Sequence, residues 1–141
     1  MTAAAAPARG RRLRRLAGPA AAVAAAAAVV GYVGAVDPNQ PGHYPTCPFL
    51  FLTGLYCPGC GALRTLHALA HLDVAGALSL NVLVVAALPL LAAMWGAWVI
   101  RAWTGRPMRW LAPASWLWAG VGLVLTFWVL RNLPAFSFLA P

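Results

Sequence analysis

Three long apolar stretches dominate the pattern of hydrophobic and polar positions along this chain of 141 residues. No charged residue falls within residues 16–36, 74–100 or 110–130. An α-helix rises about 1.5 Å per residue and the hydrocarbon core of a bilayer is about 30 Å thick, so roughly 20 apolar residues cross it. Each stretch reaches that length, and the pattern therefore predicts three transmembrane helices.

The segment between the first two stretches, residues 37–73, follows a different pattern. Four prolines and one glycine fall within residues 37–48, which excludes a regular helix there and predicts an extended, turn-rich lead-in. After a short apolar run at 49–56, leucines recur at helical spacing and predict a short helix over 61–72. The expected fold is an all-α membrane protein with three transmembrane helices and a short cysteine-motif helix between the first and the second.

The overall composition excludes an ordinary water-soluble domain. Hydrophobic residues make up 62% of the chain and charged residues only 9%, which is far from the balance of a soluble surface. The net charge of +8 comes from arginines that flank the apolar stretches, without the interleaved aromatic residues of a nucleic-acid surface. We therefore expect a lipid bilayer, and no nucleic acid, as the partner of this charge.

The distribution of the arginines predicts the orientation of the helices. Residues 1–15 contain five arginines and residues 101–109 contain three, which leaves only Arg64 and Arg131 elsewhere. Because arginine-rich flanks stay in the cytoplasm, we expect a basic, disordered cytoplasmic tail, a basic cytoplasmic loop and a multi-pass protein of the cell membrane. The extracytoplasmic parts are then residues 37–73 and 131–141.

The first stretch, residues 16–36, has two interpretations. It is either a signal anchor that stays in the protein or a signal peptide that is cleaved near residues 33–35. Its length exceeds a usual signal core of about 7 to 15 residues, which favours an uncleaved anchor. Both interpretations place Asp37 and the residues after it outside the cytoplasm.

All three cysteines of the chain lie within residues 47–60. The run Cys-Pro-Gly-Cys at 57–60 is similar to the tight turn by which zinc-binding modules present two thiolates. The proline-rich lead-in can fold back onto this turn and add a third thiolate and an imidazole. The candidate cofactor is therefore zinc, and the candidate ligands are His43, Cys47, Cys57 and Cys60.

A polar face follows on the predicted short helix. At about 100° per residue, Arg64, His67 and His71 fall on the same face as Cys60. Along a straight helix, however, the two histidines lie about 10 Å and about 16 Å beyond Cys60, too far to share a metal whose bonds measure about 2.0 to 2.3 Å. We interpret this face as meeting headgroups or water; a separate metal on the two histidines would lack a third ligand.

Two residues interrupt the apolar pattern of the second stretch. Asn81 is an amide where a lone polar group is costly, so we expect it to face another helix or the cysteine segment. Pro89 removes one backbone hydrogen bond and predicts a kink near the middle of the helix.

The cysteine segment has alternative interpretations that the sequence leaves open. Cys57 and Cys60 at a helix start could cycle between dithiol and disulfide, since the helix dipole and Arg64 favour thiolates. A relay to quinone would need two cysteine pairs, and Cys47 is the only further cysteine. We rank a structural disulfide or a metal site, which would pin the lead-in to the helix, ahead of redox catalysis.

These residues together resemble a known family. The segment DPNQPGHYPTCPFLFLTGLYCPGCGALRTLHAL, then Asp73, Asn81 and the late Arg-Asn-Leu-Pro at 131–134, is similar to the bacterial membrane proteins catalogued as domain of unknown function 2752, especially actinobacterial members with the CPGCG motif. The resemblance implies a short polytopic membrane protein, and it implies no catalytic role.

The predicted function follows from the segment and the resemblance together. We expect a small polytopic membrane protein whose extracytoplasmic cysteine element is structural, metal-binding or partner-binding and has no catalysis of its own. A membrane-protein partner or a second copy of the chain is an expected neighbour. The alternative is a membrane thiol-disulfide oxidoreductase or redox sensor that uses Cys57 and Cys60.

Overall fold

The computed structural model describes residues 8–108 and 112–141, and within these ranges it is all-helical. A 3-10 helix, Pro134–Leu139, follows the last α-helix. The expectation of an all-α fold is confirmed for the described part of the chain. The α-helices are α1 (Ala8–Ala35), α2 (Pro48–Thr53), α3 (Ala62–Ala70), α4 (Val74–Thr104) and α5 (Ala114–Leu130).

Helix α1 is longer than predicted, because it begins at Ala8 rather than near residue 16. Residues 8–15 are thus helical where we expected a disordered tail, and residues 1–7 lie outside the described ranges. Alanine, leucine and arginine all have high helix propensity, and they supply most of residues 8–17. The basic segment that we interpreted as a disordered tail is therefore able to extend the helix.

Helices α1 and α4 pack against each other through small residues and tryptophans. A Cβ atom on Gly18 would lie 3.0 Å from the ring of Trp98, so the absence of a side chain lets the indole lie against the α1 backbone. The Nε1 of Trp95 donates a hydrogen bond of 3.1 Å to the carbonyl of Pro19. Trp95 and Trp98 therefore contribute to the packing of α1 against α4.

The short helix α3 packs on both long helices and connects them at one end. Its contacts with α4 are the most extensive in the structure, followed by its contacts with α1. Thr65 on its buried face is fully enclosed and donates a hydrogen bond of 2.9 Å to the carbonyl of Gly61. Helix α3 therefore anchors the cysteine loop that precedes it to the two long helices.

Helix α4 is interrupted at Asn81, whose backbone is extended (φ −161°, ψ 92°). The side-chain oxygen of Asn81 accepts a hydrogen bond of 3.1 Å from the backbone N–H of Val84, which is the bond that a helix N-cap makes. Asn81 thus ends one helical segment and begins the next. Pro89, where we predicted a kink, lies within α4 at residues with helical backbone angles.

Two of the helices are long and apolar enough to cross a membrane, namely residues Arg12–Ala35 of α1 and the whole of α4. Helix α5 is also apolar but has 17 residues, fewer than the predicted stretch at 110–130, of which residues 110 and 111 lie outside the described ranges. The structure therefore supports two of the three predicted spans by length and composition.

Candidate metal centre

The backbone around α2 brings Cys47 back toward the Cys-Pro-Gly-Cys turn. Cys47 stands immediately before α2, whose first residue is Pro48, a position that suits proline because the first helical N–H needs no partner. Gly54 ends the helix with a positive φ of 71°, as is common at helix C-termini. The chain therefore reverses within a few residues and returns to Cys57.

The turn that carries Cys57 and Cys60 is closed by a backbone hydrogen bond of 3.1 Å from the N–H of Cys60 to the carbonyl of Cys57. Gly61 follows with a φ of +84°, and a Cβ atom there would lie 2.8 Å from the carbonyl oxygen of Leu80. Both the backbone conformation and the close approach to α4 require glycine at this position. This close contact seats the turn directly on the interrupted part of α4.

The three thiols converge, and their sulfur atoms all lie within 4.8 Å of one another. The Sγ of Cys47 is 3.6 Å from the Sγ of Cys57, and the latter is 2.9 Å from the Sγ of Cys60. In addition, the backbone N–H of Cys57 donates to the Sγ of Cys60 at 3.2 Å. Three of the four predicted ligands are therefore together, and they could hold a metal ion.

Two side chains from distant parts of the chain hold the backbone of this turn. The amide of Asn81 donates hydrogen bonds of 3.0 Å to the carbonyls of Pro58 and Cys60. The guanidinium of Arg131 donates to the carbonyls of Cys57 at 2.9 Å, Pro58 at 3.3 Å and Cys60 at 3.2 Å. The carbonyls of the turn are thus fixed from one side, and we call these two donors the carbonyl clamp.

Arg131 is a buried cation, with only 1% of its surface exposed. The chain has two carboxylate side chains, and neither forms an ion pair with Arg131 within the described ranges. Its guanidinium lies over the rings of Phe127 and Tyr56, at 5.0 Å and 5.8 Å from their centroids. Burial lowers the pKa of Arg131, whereas negative charge on Cys60 or Cys57 acts in the opposite direction.

Asn132 extends this attachment to the residue that precedes the turn. Its side-chain oxygen accepts a hydrogen bond of 2.8 Å from the backbone N–H of Tyr56, and its amide donates one of 2.9 Å to the carbonyl of the same residue. The ring of Phe49 on α2 packs edge-on against Trp128 on α5 at 5.5 Å. The end of α5 is therefore joined to both sides of the cysteine loop.

The surroundings of the thiols differ in their effect on protonation. Burial, followed by the neighbouring Cys57 side chain, raises the pKa of Cys60 to about 12. A hydrogen bond from the backbone N–H of Leu50, at the start of α2, lowers the pKa of Cys47. Without a metal ion, Cys47 therefore provides a thiolate more readily than Cys60.

The other predicted site residues lie outside the thiol group. His43 is exposed and does not join the ligand atoms that cluster with the three thiols; its role as a ligand stays a prediction. The Nδ1 of His67 is 2.7 Å from the carbonyl of Val33, and its Nε2 is 3.8 Å from the Oδ1 of Asp37. The ring of His71 lies tilted against that of His67 with centroids 4.4 Å apart, and His67 connects α3 with the end of α1.

A cavity of about 520 Å³ opens beside the thiols. All three cysteines line it together with Arg64, Tyr44 and Gln40, and we call it the thiol cavity. Arg64, which we predicted on the same helix face as Cys60, thus lines the same cavity as Cys60. Cavities of this size are typical of sites for small molecules.

Sequence reasoning did not predict Arg131 and Asn132 as site residues. They are the first two residues after the apolar helix α5. A basic residue at the end of an apolar helix, such as Arg131, is normally interpreted as a topology signal. The one available signal was the Arg-Asn-Leu-Pro run at 131–134, which formed part of the family resemblance. Asn81, in contrast, was expected to face a helix or the cysteine segment, and it contacts the latter.

The fold and the site together define a class of protein: a small helical protein with apolar helices that could cross a membrane and a cluster of three cysteines that could hold a metal ion. Residues 47–95 match the family model described as "Protein of unknown function (DUF2752)". This match supports the family that the resemblance indicated, and the matched segment includes all three cysteines and Asn81. Searches of curated proteins and of solved structures found no match.

Proposed function

We propose that this chain is an integral membrane protein whose three cysteines bind one divalent, thiophilic metal ion, with zinc as the best match, on the extracytoplasmic side. The convergence of Cys47, Cys57 and Cys60 within 4.8 Å is the observation that carries the proposal. The bound ion would connect the lead-in loop to the start of α3. In this role the metal stabilises the fold, and the protein needs no catalytic activity of its own.

The spacing of the thiols fits a tetrahedral ion. With metal–sulfur bonds of about 2.3 Å, the sulfur atoms of a tetrahedral site lie about 3.8 Å apart. The 3.6 Å between Cys47 and Cys57 agrees with this value. The 2.9 Å between Cys57 and Cys60 requires a shift of less than 1 Å, which a small rotation about χ1 of either cysteine can supply.

The charge of the surroundings also supports a divalent ion. Three thiolates around a divalent ion leave one negative charge, and the buried guanidinium of Arg131 balances it. A buried arginine without a carboxylate is costly unless another anion is near. Its Nε atom has no hydrogen-bond partner among the described residues, so the carbonyl clamp alone does not compensate this cation.

Exposed apolar side chains support the membrane part of the proposal. Only 11% of the most apolar part of either long helix is buried, whereas a core helix of a water-soluble protein would be mostly buried. Apolar side chains such as Leu90, Leu91 and Met94 on α4 are more than half exposed. Lipid is the solvent that makes such a surface favourable.

Metal analysis of detergent-purified protein tests the proposed centre. We expect one zinc ion per chain, and we expect alkylating reagents to modify the three cysteines only after a chelator removes it. Cys57→Ser should lose the metal, whereas the control variant His71→Gln should keep it because His71 lies outside the thiol group. A protein with one disulfide and no metal would contradict the proposal.

Labelling of intact cells tests the orientation separately. After chelation, a membrane-impermeant maleimide should label the native cysteines from outside the cell. A cysteine introduced by Met108→Cys, in the arginine-rich loop, should be labelled only after the membrane is permeabilised. Labelling in the reverse order would place the cysteines in the cytoplasm and refute the proposed topology.

A second candidate function rests on the distance of 2.9 Å between the thiols of Cys57 and Cys60, which a small movement converts into a disulfide. In this alternative the pair acts as a thiol-disulfide oxidoreductase or redox sensor. The raised pKa of Cys60 makes it a poor nucleophile at neutral pH. Titration of purified protein with a thiol-disulfide redox buffer decides between the two functions. Reversible formation of a disulfide between residues 57 and 60, without metal and at the redox potential of the cytoplasm or the periplasm, favours this alternative.

A further inference from the structure

The thiol cavity raises the question of what completes the coordination of the proposed metal ion. A tetrahedral ion has four ligands, and sites with four protein ligands are closed and structural, whereas sites with three keep one position for water or another ligand. Within the described ranges, the thiols of Cys47, Cys57 and Cys60 form a group that no histidine or carboxylate joins. The described thiol group therefore supplies three ligands, and the exposed His43 lies outside it.

The two carboxylate side chains of the protein are engaged elsewhere. The Oδ1 of Asp73 accepts a hydrogen bond of 2.8 Å from the backbone N–H of Gly76 and caps α4. The Oδ1 of Asp37 accepts hydrogen bonds from the backbone and the side chain of Asn39. Neither side chain can become the fourth ligand unless it breaks these contacts.

The open side of the thiol group faces the thiol cavity. The carbonyl clamp of Asn81 and Arg131 holds the backbone of the turn, while all three cysteines contribute to the wall of the cavity. Its volume of about 520 Å³ far exceeds the roughly 30 Å³ that one water molecule occupies in the liquid. The cavity therefore has room for a small molecule as well as for water.

Arg64 determines the charge that this small molecule should carry. It lines the thiol cavity, and its side chain is exposed. The two carboxylate side chains of the protein are occupied as described above, so its guanidinium is available to a ligand. An arginine at the wall of a cavity favours an anion, in particular a carboxylate.

We propose that the fourth coordination position of the metal opens into the thiol cavity and binds a small anionic thiol, whose thiolate coordinates the ion and whose carboxylate faces Arg64. This inference rests on the proposed metal centre. Binding is a ligand exchange without oxidation or reduction: the thiolate donates an electron pair to the ion, the bound water leaves, and the proton of the thiol passes to the solvent.

Cobalt(II) in place of zinc gives a direct optical readout of this position in the full-length protein in detergent. The bands of tetrahedral Co(II) report the number of ligands, and the sulfur-to-cobalt charge-transfer bands report the number of thiolates. Titration with mercaptoacetate should shift the ligand-field bands and strengthen the charge-transfer bands to a saturable end point. The neutral analogue 2-mercaptoethanol should bind too, since it carries the same donor atom.

Comparison of the two thiols in the Arg64→Gln variant isolates the contribution of the charge. We expect the ratio of the mercaptoacetate and 2-mercaptoethanol affinities to fall by about threefold, as the loss of one exposed ion pair predicts, and Arg64→Lys should restore most of it. Because Arg64 is exposed, the substitution should leave the cobalt spectrum of the thiol-free protein unchanged. An unchanged ratio would refute the role of Arg64.

The remaining outcomes separate this inference from the function on which it rests. A cobalt-loaded protein whose spectrum responds to neither thiol has a closed site, which overturns the open position and leaves the metal centre in place. Loss of the cobalt bands during the titration means that the thiols extract the ion, which also overturns the proposal. Failure to bind cobalt or zinc at all refutes the metal centre itself.

Discussion

The Nη1 atom of Arg131 donates a hydrogen bond of 2.9 Å to the carbonyl oxygen of Cys57, across 74 positions of the sequence. Because the same guanidinium also reaches the carbonyl of Cys60 at 3.2 Å, one side chain at the end of α5 spans the cysteine turn. The third apolar helix therefore contributes to the site through the residue that follows it. This contact makes the geometry of the thiols depend on the position of α5.

Replacement of Arg131 should weaken the metal centre without removing a ligand. Arg131→Gln cannot span the carbonyls of Cys57 and Cys60, and it removes the buried positive charge. The loss of hydrogen bonds from a charged donor predicts a cost of about 1.5 to 3 kcal/mol, which should appear as a lower free energy of unfolding, a lower metal affinity, or both. Competition with a chromogenic chelator and thermal unfolding in detergent measure the two effects.

Two further variants control for this result. Arg131→Lys should be intermediate, since a single ammonium keeps the charge but cannot reach the carbonyls in the planar geometry of a guanidinium. Arg106→Gln makes the same chemical change at an exposed residue and should alter neither measurement. Equal effects of the substitutions at 131 and 106 would mean that the buried position of Arg131 has no importance for the centre.

Replacement of Asn81 should affect both the cysteine turn and α4. Asn81→Leu leaves the carbonyls of Pro58 and Cys60 without their amide donor and the N–H of Val84 without its cap. We expect a loss of about 1 to 3 kcal/mol, the usual cost of buried groups left without a partner, and a lower metal affinity. Ser79→Ala, two residues earlier and exposed, is the matched control and should change stability by less than about 0.5 kcal/mol.

A Cβ atom at position 61 should separate the cysteine turn from α4. Gly61→Ala must keep a φ of +84° and also avoid the carbonyl oxygen of Leu80, 2.8 Å from the new atom. The conformational term alone costs about 1 to 2 kcal/mol, and the contact with Leu80 adds to it. Unfolding in a denaturing detergent should show the loss, while Gly31→Ala, in open space on α1, should be tolerated.

The reactivity of the metal-free thiols should follow their surroundings. After chelation, Cys47 should be alkylated first, because its lowered pKa raises its thiolate fraction at any pH below the usual pKa of a cysteine thiol. Cys60, whose pKa is raised to about 12 and whose side chain is buried, should react slowest, and its rate should still be rising at the highest pH tested. Peptide mapping by mass spectrometry at several pH values measures the order. Faster alkylation of Cys60 than of Cys47 would contradict the structure of the loop.

Much of the helical architecture could be predicted from the sequence. The uncharged stretches located α1, α4 and α5, and the leucine spacing located α3 to within two residues of its ends. The start of α1 was wrong, because charge alone does not stop a helix of good helix formers. A kink was expected at Pro89, whose backbone angles are helical, whereas the interruption of α4 lies at Asn81. The side chain of Asn81 accepts a hydrogen bond from the N–H of Val84, which the interruption would otherwise leave without a partner.

The sequence by itself determined which residues carry the chemistry: the thiols lie close together along the chain, and their type and spacing indicate metal or redox chemistry before any fold is known. Only the tertiary structure decided how the thiols are held. The side chains that hold them bind backbone carbonyls and N–H groups, namely those of Arg131, Asn132 and Asn81. Every residue except proline has both backbone groups, so no pattern of side chains in the sequence predicts these contacts. They form because burial between helices leaves the polar atoms of the cysteine turn no water to bind, and the donors that replace it come from helix ends far away in the sequence.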